Sequence, residues 1–213
     1  MDKKYWNNYY QQHGKDTGIK LPSTFSQFCL ENFFKNKINI VEIGSGNGRD
    51  AIYFASFKNN VIALDQSTAA IDIEMDGLSE ELCQYLHPRA LDFVKEEYSG
   101  YENIDVFYSR FSIHSITKND EVILLTKIYN ALGSGGMFCI EVRSTNDPLY
   151  GIGERCDNDT YIYNSHKRRF INSQIFLNQC LTIGFKLLYF TEENNLSVYE
   201  NDNPVLIRLV LQK

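Results

Sequence analysis

The stretch that decides the fold is Val41-Glu-Ile-Gly-Ser-Gly-Asn-Gly-Arg-Asp50, which follows Asn39-Ile40 and precedes Ala51-Ile-Tyr-Phe-Ala55. The apolar run before the glycines predicts a buried strand, and the apolar residues after them recur at helical spacing. Glycine at 44, 46 and 48 permits positive φ and lets a ligand approach the backbone, beside the free amides of a new helix. The stretch predicts a ligand-binding loop at the carboxyl end of a strand, with an ordinary strand-to-helix turn as the alternative.

The spacing of the glycines indicates the kind of ligand. The dinucleotide fingerprint needs a glycine three residues after its second one, and Arg49 stands at that position. The pattern that remains, acid-x-Gly-x-Gly-x-Gly beginning at Glu42, resembles the first motif of the class I S-adenosylmethionine-dependent methyltransferases. This resemblance implies S-adenosylmethionine as cofactor, S-adenosylhomocysteine as product, and a loop with Glu42, Gly44 and Gly46 against the methionine and ribose portions. A nicotinamide oxidoreductase is the least favoured alternative.

A second acidic residue follows at a suitable distance. The run Val61-Ile-Ala-Leu-Asp65 is typical of a buried strand and ends in a carboxylate 21 residues after Gly44. A carboxylate at that strand end can accept bonds from both ribose hydroxyls. The alternative for Asp65 is the N-cap of the next helix, a role that Ser67 can fill equally well.

The remaining cofactor-side candidates rest on the resemblance to the methyltransferases. It implies that Asp92 binds the adenine amino group and that Phe93 packs on the ring; an ordinary loop carboxylate is the alternative for Asp92. Asp50, Gln66 and Ser109 complete the predicted cofactor-binding set.

Composition bounds the class of protein. The 213 residues suit one domain, and 43% apolar and 14% aromatic residues are typical of a folded globular chain. The five cysteines lack zinc or redox spacing, which favours reduced thiols and a cytoplasmic location, and no other group has metal-ligand spacing. No stretch is long enough to span a bilayer. A net charge of −6 disfavours a nucleic-acid partner, and we expect a monomer or homodimer without metal.

Alternating strand and helix patterns predict the fold class. From about residue 38 they alternate five times, which indicates an α/β, Rossmann-like doubly wound sheet, mostly parallel and covered by helices on both faces. The third strand is predicted at 89–93. A helix over 173–183 then precedes strands at 186–190 and 204–211, whose short connection predicts an antiparallel C-terminal hairpin. This topology also resembles that of the methyltransferases.

The first 37 residues are predicted to form a helical lid over a core spanning 38–213, within one methyltransferase domain covering 1–213. Two aromatic stripes at helical spacing indicate two helices, with Gly14 and Gly18 ending the first. Such stripes belong to the core more often than to a cofactor site. Tyr9 and Tyr10 are the exceptions that we favour as substrate-binding residues, because the resemblance implies an amino-terminal lid.

Cationic residues cluster at the predicted carboxyl edge of the sheet. Arg110 follows strand four, Arg143 ends strand five, and His166-Lys-Arg-Arg169 precedes the last helix. Guanidinium groups hold phosphate or carboxylate oxygens with two parallel bonds, so this cluster predicts a small anionic acceptor. Alternatively, Lys167 and Arg168 are solvated surface charges and Arg143 pairs with Glu141 or Asp147.

Residues 143–168 between strand five and the last helix are predicted to be a long polar substrate loop that acts as a mobile flap. Tyr150 and Arg168 are its candidate substrate-binding residues. His114 and His166 are the candidate general bases for a hydroxyl acceptor, although a lone histidine is more often structural. Arg110, Arg143 and Arg169 complete the predicted catalytic set.

The flap and the basic run resemble a subgroup of small methyltransferases often called tellurite-resistance-like. Some members O-methylate phosphoramidate or phosphonate groups in surface polysaccharide, so the resemblance implies a role in capsule biosynthesis. The alternatives are a methyltransferase that acts on protein or RNA, and a non-catalytic sensor that binds S-adenosylmethionine.

Overall fold

A seven-stranded sheet forms the centre of the computed structural model, which describes residues 3–13, 21–35, 37–76 and 78–213. The strands lie in the order β3-β2-β1-β4-β5-β10-β9. Their bounds are β1 Asn39–Ile43, β2 Asn60–Asp65, β3 Leu86–Ala90, β4 Val106–Arg110, β5 Met137–Arg143, β9 Lys186–Glu193 and β10 Leu206–Gln212. The first five are parallel, and β10 is antiparallel to both neighbours. The predicted mostly parallel sheet with an antiparallel C-terminal hairpin is confirmed.

Helices cover both faces of this sheet. They are α1 Lys3–His13, α2 Thr24–Asn32, α3 Arg49–Ser56, α4 Thr68–Met75, α5 Glu80–Cys83, α6 Lys118–Ala131 and α7 Ser173–Ile183. The core has two parts, one on each face of the sheet, and successive residues of β4 point into different parts. Phe107 packs with Leu124 of α6 on one face, and Tyr108 packs with Phe25 of α2 on the other. Of the helices that the structure describes, none has the length and apolarity needed to cross a membrane.

The two N-terminal helices form where the aromatic stripes predict them, but they differ in depth. Phe25 and Cys29 of α2 are fully buried in the core, whereas α1 has no fully buried residue. The predicted break at Gly14 and Gly18 lies outside the described residues. The division into a lid and a core stays a prediction.

The third strand is displaced from its predicted position. It spans Leu86–Ala90 rather than 89–93 and includes Pro88, which pairs with Ala63. Proline is tolerated here because β3 is an edge strand, where the missing N–H removes no bond on the open side. The shift leaves Asp92 and Phe93 just beyond the strand.

Much of the segment 143–168, which was predicted to be an irregular polar loop, instead folds into a second antiparallel sheet, and its role as a mobile substrate flap stays a prediction. The strands of this sheet are β6 Glu154–Asp157, β7 Thr160–Tyr163 and β8 His166–Arg169. Asn164 and Ser165 join β7 to β8 with φ of 51° and 59°. Positive φ at both central residues is the pattern of a tight type I′ hairpin, which asparagine tolerates. The turn residues that suggested a flap therefore make hairpins.

Candidate active site

The glycine-rich loop connects β1 to α3 at the carboxyl edge of the sheet. The Gly44 amide donates to the Leu64 carbonyl at 2.6 Å, which ties the loop to the end of β2. A Cβ at Gly44 would lie 2.5 Å from Ser112 Cβ, one at Gly46 2.3 Å from the Tyr10 hydroxyl, and one at Gly48 2.1 Å from Glu74 Cγ. Each glycine thus makes room for a different neighbour.

A cavity of about 520 Å³ opens against this loop. Its position at the carboxyl ends of parallel strands is where α/β folds bind ligands. The walls are formed by Trp6, Tyr9, Tyr10, Pro22, Ser23, Thr24, Glu42, Gly44, Ser45, Gly46, Asn47, Arg49, Asp50, Asp65, Phe93, Arg110, Phe111, Ser112, Ser115, Arg143, Ser197, Val198, Tyr199, Asp202 and Pro204.

Asp65 stands in the cavity wall at the end of β2. One carboxylate oxygen accepts from the Gly46 amide at 3.1 Å and the other from the Ser67 amide at 2.8 Å. Burial raises the pKa of Asp65, while these backbone bonds oppose the rise. Ser67 itself caps α4 by accepting from the Ala70 amide, so Asp65 does not serve as the cap. Each oxygen retains acceptor capacity toward the cavity, as its predicted ribose role requires.

Glu42 lies beneath the loop and is 3% exposed. Its Oε2 has no partner among the described residues. Burial, followed by the charges of Asp50 and Glu74, raises the pKa of Glu42 well above the usual range. A buried carboxyl group with an unused oxygen in the cavity wall can bind a ligand donor.

Phe93 alone of the predicted adenine pair lines the cavity, and it is 1% exposed. Asp92 accepts from the Val94 amide at 3.1 Å and forms an ion pair with Lys95 at 3.7 Å, as a loop carboxylate does. Gln66 is buried, and its Nε2 has no partner among the described residues.

Asp50 and Ser109 are held by buried hydrogen bonds within the protein. The Asp50 carboxylate accepts from the Ser23 amide, the Ser23 hydroxyl, the Ser26 hydroxyl and the Tyr108 hydroxyl at 2.7–2.9 Å. These bonds join α2, α3 and β4. Ser109 Oγ lies 2.6 Å from Ser112 Oγ. Their cofactor roles stay predictions, and the structure gives Asp50 an anchoring role that the sequence did not indicate.

Helix α1 closes one side of the cavity. Trp6, Tyr9 and Tyr10 lie in its wall, as a lid requires, and the Tyr10 hydroxyl lies over Gly46. Burial, followed by the charge of Asp65, raises the pKa of Tyr10. Asn7 ties α1 to the start of α4, because its Oδ1 accepts from the Ala69 amide at 3.2 Å.

Arg110 and Arg143 lie in the same cavity wall, and both contact carboxylates. Arg110 Nε donates to Glu141 at 2.8 Å, and its other end donates to Ser197 Oγ at 2.8 Å. Arg143 donates to Asp147 at 2.9 Å, which was the alternative that the sequence offered for this arginine. Arg143 also donates to Asp202.

The loop between β9 and β10 is a wall of the cavity that the sequence analysis missed. It carries Ser197, Val198, Tyr199 and Asp202. Tyr199 and Asp202 are joined by two backbone hydrogen bonds of 3.0 and 2.8 Å. A signal was available: β9 runs parallel to β5, so the connection that follows it must lie at the carboxyl edge.

The two candidate bases lie close together beside α1. The rings of His114 and His166 are 6.3 Å apart, and Trp6 packs edge-on against His166 at 5.2 Å. Burial, followed by the charge of Arg168, lowers the pKa of His114 well below its usual range and that of His166 to about 4. Both are neutral at pH 7. His114 Nδ1 and His166 Nε2 have no partner among the described residues.

His114 lines a second cavity of about 690 Å³ and is not part of the wall of the first. Trp6 and Ser115 line both cavities and form the boundary between them. Lys3, Lys118, Lys167 and Arg169 line the second cavity, together with Asp157 and Asp159.

The other basic-run residues and Tyr150 contact protein groups. Arg169 donates to Glu121 at 2.6 Å and to the carbonyls of Ile113 and Ile116. Arg168 contacts His166 Nδ1 at 3.2 Å, while its Nε has no partner among the described residues. Tyr150 donates to Asp159 at 2.7 Å and lines neither cavity. Their predicted catalytic and substrate-binding roles stay untested. Across 3–13, 21–35, 37–76 and 78–213, no three metal-binding side chains group together.

Comparisons with known proteins bear on this arrangement. Residues 41–140 match a family described as a methyltransferase domain. The fold is similar to the 1,6-didemethyltoxoflavin-N1-methyltransferase of Burkholderia thailandensis, solved with 1,6-didemethyltoxoflavin and S-adenosylhomocysteine; the TM-score is 0.74 at 15% identity, covering 99% of this chain and 86% of that one. No match was found among curated proteins.

Two further solved structures share the fold. The glycopeptide N-methyltransferase MtfA, solved with S-adenosylmethionine, has a TM-score of 0.69 at 13% identity, covering 91% of this chain and 95% of that one. An S-adenosylmethionine-dependent methyltransferase from Mesorhizobium loti has a TM-score of 0.68 at 15% identity, covering 87% and 96%.

The matched segment contains the glycine-rich wall of the cavity. It begins at β1 and contains the glycine-rich loop, Asp65, Phe93 and the end of β4. Residues 41–140 therefore match a methyltransferase domain, and the chain as a whole has a Rossmann-like fold.

Proposed function

We propose that this protein is an S-adenosylmethionine-dependent methyltransferase, and that it transfers the methyl group of this cofactor to an oxygen of a small anionic metabolite. The observation that carries the proposal is that one cavity is lined by Gly46 and Asp65 on the cofactor side and by Arg110 and Arg143 on the other. Guanidinium groups in that wall can hold the acceptor's oxyanion within reach of the methyl group.

The charges around these arginines favour an anion. Glu141 lies between Arg110 and Arg208, at 2.8 and 2.6 Å, so this buried triad has one positive charge in excess. Arg143 contacts two carboxylates, but Asp202 is 46% exposed on the loop between β9 and β10, whereas Asp147 is fully buried. An incoming carboxylate or phosphate can therefore replace Asp202 at Arg143 without disturbing the buried pair.

Methyl transfer from a sulfonium depends chiefly on alignment. The protein must hold the nucleophile, the methyl carbon and the sulfur in line, and such positioning can supply about 7–11 kcal/mol. An oxyanion acceptor needs no base. For a hydroxyl acceptor, the neutral His114 can take the proton. Burial is the main cause of its lowered pKa, and a bound anion would offset the smaller contribution of the nearby cations.

The second cavity gives the acceptor a route to this point. It adjoins the cofactor cavity at Trp6 and Ser115, and Lys3 and Lys167 line it. A metabolite larger than its reacting group can extend into this space. The phosphoramidate and phosphonate compounds of surface polysaccharide, implied by the sequence resemblance, are acceptors of this kind.

Transfer of labelled methyl from S-adenosylmethionine tests the proposal. The acceptor panel pairs phosphate, phosphonate, phosphoramidate and carboxylate compounds with their neutral esters, amines, protein and RNA. We expect label in an anionic small molecule, and mass spectrometry should place it on oxygen. Label confined to amines, protein or RNA would contradict the acceptor class, and tight cofactor binding without any transfer would indicate a sensor.

A further inference from the structure

Glu74 of α4 is a buried acid directly behind the cofactor loop. It is 0% exposed, and its Oε2 accepts from the Ser45 hydroxyl at 2.9 Å. Its Oε1 has no hydrogen-bond partner among the described residues. Ser45 lines the cofactor cavity, so the carboxyl group of Glu74 is one side chain away from the bound ligand.

The loop is shaped around this side chain. A Cβ at Gly48 would lie 2.1 Å from Cγ, 2.5 Å from Cδ and 2.9 Å from Cβ of Glu74. Gly48 has φ of 76° and precedes the first residue of α3. The third glycine of the motif therefore admits Glu74 rather than the ligand, and Glu74 contacts the loop at both Ser45 and Gly48.

The surroundings of Glu74 disfavour its ionised form. Burial, with a smaller contribution from the charge of Asp65 at the end of β2, raises the pKa of Glu74 to about 8, against the opposing effect of the Ser45 bond. Glu42 of β1 and Tyr10 of α1 also interact with its charge. Arg49 is a cation that acts on both of these neighbours, and Arg110 also acts on Glu42.

We propose that Glu74 in its neutral form is a positioning residue, which holds the glycine-rich loop in the shape that binds the cofactor. When Glu74 loses its proton, a charge without a counter-ion is left in contact with Ser45 and Gly48. The loop must then open to let water reach the carboxylate, and the cofactor site loses its shape. Cofactor affinity falls as the pH rises through the titration of Glu74.

Calorimetric titrations with S-adenosylmethionine and S-adenosylhomocysteine at pH 7, 8 and 9 test this proposal. If only the protonated form is competent, the apparent Kd of the wild type rises about tenfold from pH 7 to 9 for both ligands. Glutamine has the shape of the neutral acid but no proton to lose. The Kd of Glu74→Gln should therefore lie near the wild-type value at pH 7 and should not rise with pH. Glu81→Gln, on the exposed surface of α5, serves as the matched control.

Three results would overturn the proposal. Glu74→Gln could retain the wild-type pH dependence, in which case another group titrates. The rise could occur with S-adenosylmethionine alone, which would mean that the pH dependence is not set by a loop shape that both ligands require. The wild-type Kd could also be constant from pH 7 to 9. Titration of the ligand's own amino group would appear equally in Glu74→Gln and so cancels in the comparison.

Discussion

Replacing Glu74 with glutamine should make stability less dependent on pH. Burial raises the pKa of Glu74 from 4.5 to about 8 in the folded protein. Folding then requires the acid to take up a proton at any pH above its unfolded value. The free-energy cost of this proton uptake is absent below about pH 4.5, grows as the pH rises, and levels off above about pH 8.

The size of the effect follows from linkage. Each unit of pKa shift corresponds to about 1.4 kcal/mol, so holding Glu74 neutral costs about 1 kcal/mol at pH 5 and about 4 kcal/mol at pH 8. Glutamine has no such requirement. The unfolding free energy of Glu74→Gln relative to wild type should therefore increase by about 3 kcal/mol between these two pH values.

Urea unfolding of both proteins at pH 5, 7 and 8 measures this difference. Any constant effect of the glutamine amide cancels, because the prediction concerns only the change with pH. Glu81→Gln provides the exposed control and should follow the wild type. A stability difference that stays constant across this range would refute the reasoning, since it would mean that Glu74 is ionised in the folded protein.

Three further substitutions test other parts of the structure. Asp65→Ala should weaken S-adenosylmethionine binding at least about a hundredfold in calorimetry with the fold intact, whereas exposed Asp72→Ala should not; retained affinity would exclude the ribose role. Arg169→Gln leaves the buried Glu121 with only the half-exposed Lys118 as ion-pair partner and should lower the unfolding free energy by about 3 kcal/mol, while exposed Lys167→Gln leaves it unchanged. Asp50→Ala removes four buried hydrogen bonds, from the Ser23 amide and from the Ser23, Ser26 and Tyr108 hydroxyls, and should cost at least about 3 kcal/mol in urea unfolding; a loss under about 1 kcal/mol would contradict its anchoring role.

The sequence predicted the parts of the fold that local patterns determine. The glycine-rich loop, the alternating elements and the C-terminal hairpin each depend on residues that are close in the chain. Thr117 caps α6 by accepting from the Asp120 amide, as the capping motif requires. The third strand was misplaced because Pro88 normally stops a strand, and only its edge position in the sheet makes it acceptable.

The site was less predictable, because its contacts join residues far apart in the chain. Nothing local to Arg143 shows that it meets Asp202, 59 residues away across the last hairpin. Similarly, Glu74 looks like an ordinary polar residue in a short helix. Its burial depends on the glycine-rich loop, where Ser45, 29 residues earlier, and Gly48 enclose it. Only the packing of α4 against that loop reveals its role.

The proposed function requires that Arg143 bind the acceptor's anion in the cavity beside the glycine-rich loop and that Asp202 compete for the same guanidinium. The most direct measurement is the acceptor KM of two variants, using the compound that takes label in the transfer panel. Arg143→Gln should raise KM at least about tenfold, and Asp202→Asn should lower it, with cofactor Kd unchanged in both. Opposite changes cannot arise from a general loss of structure. Equal KM values in both variants and the wild type would contradict the account.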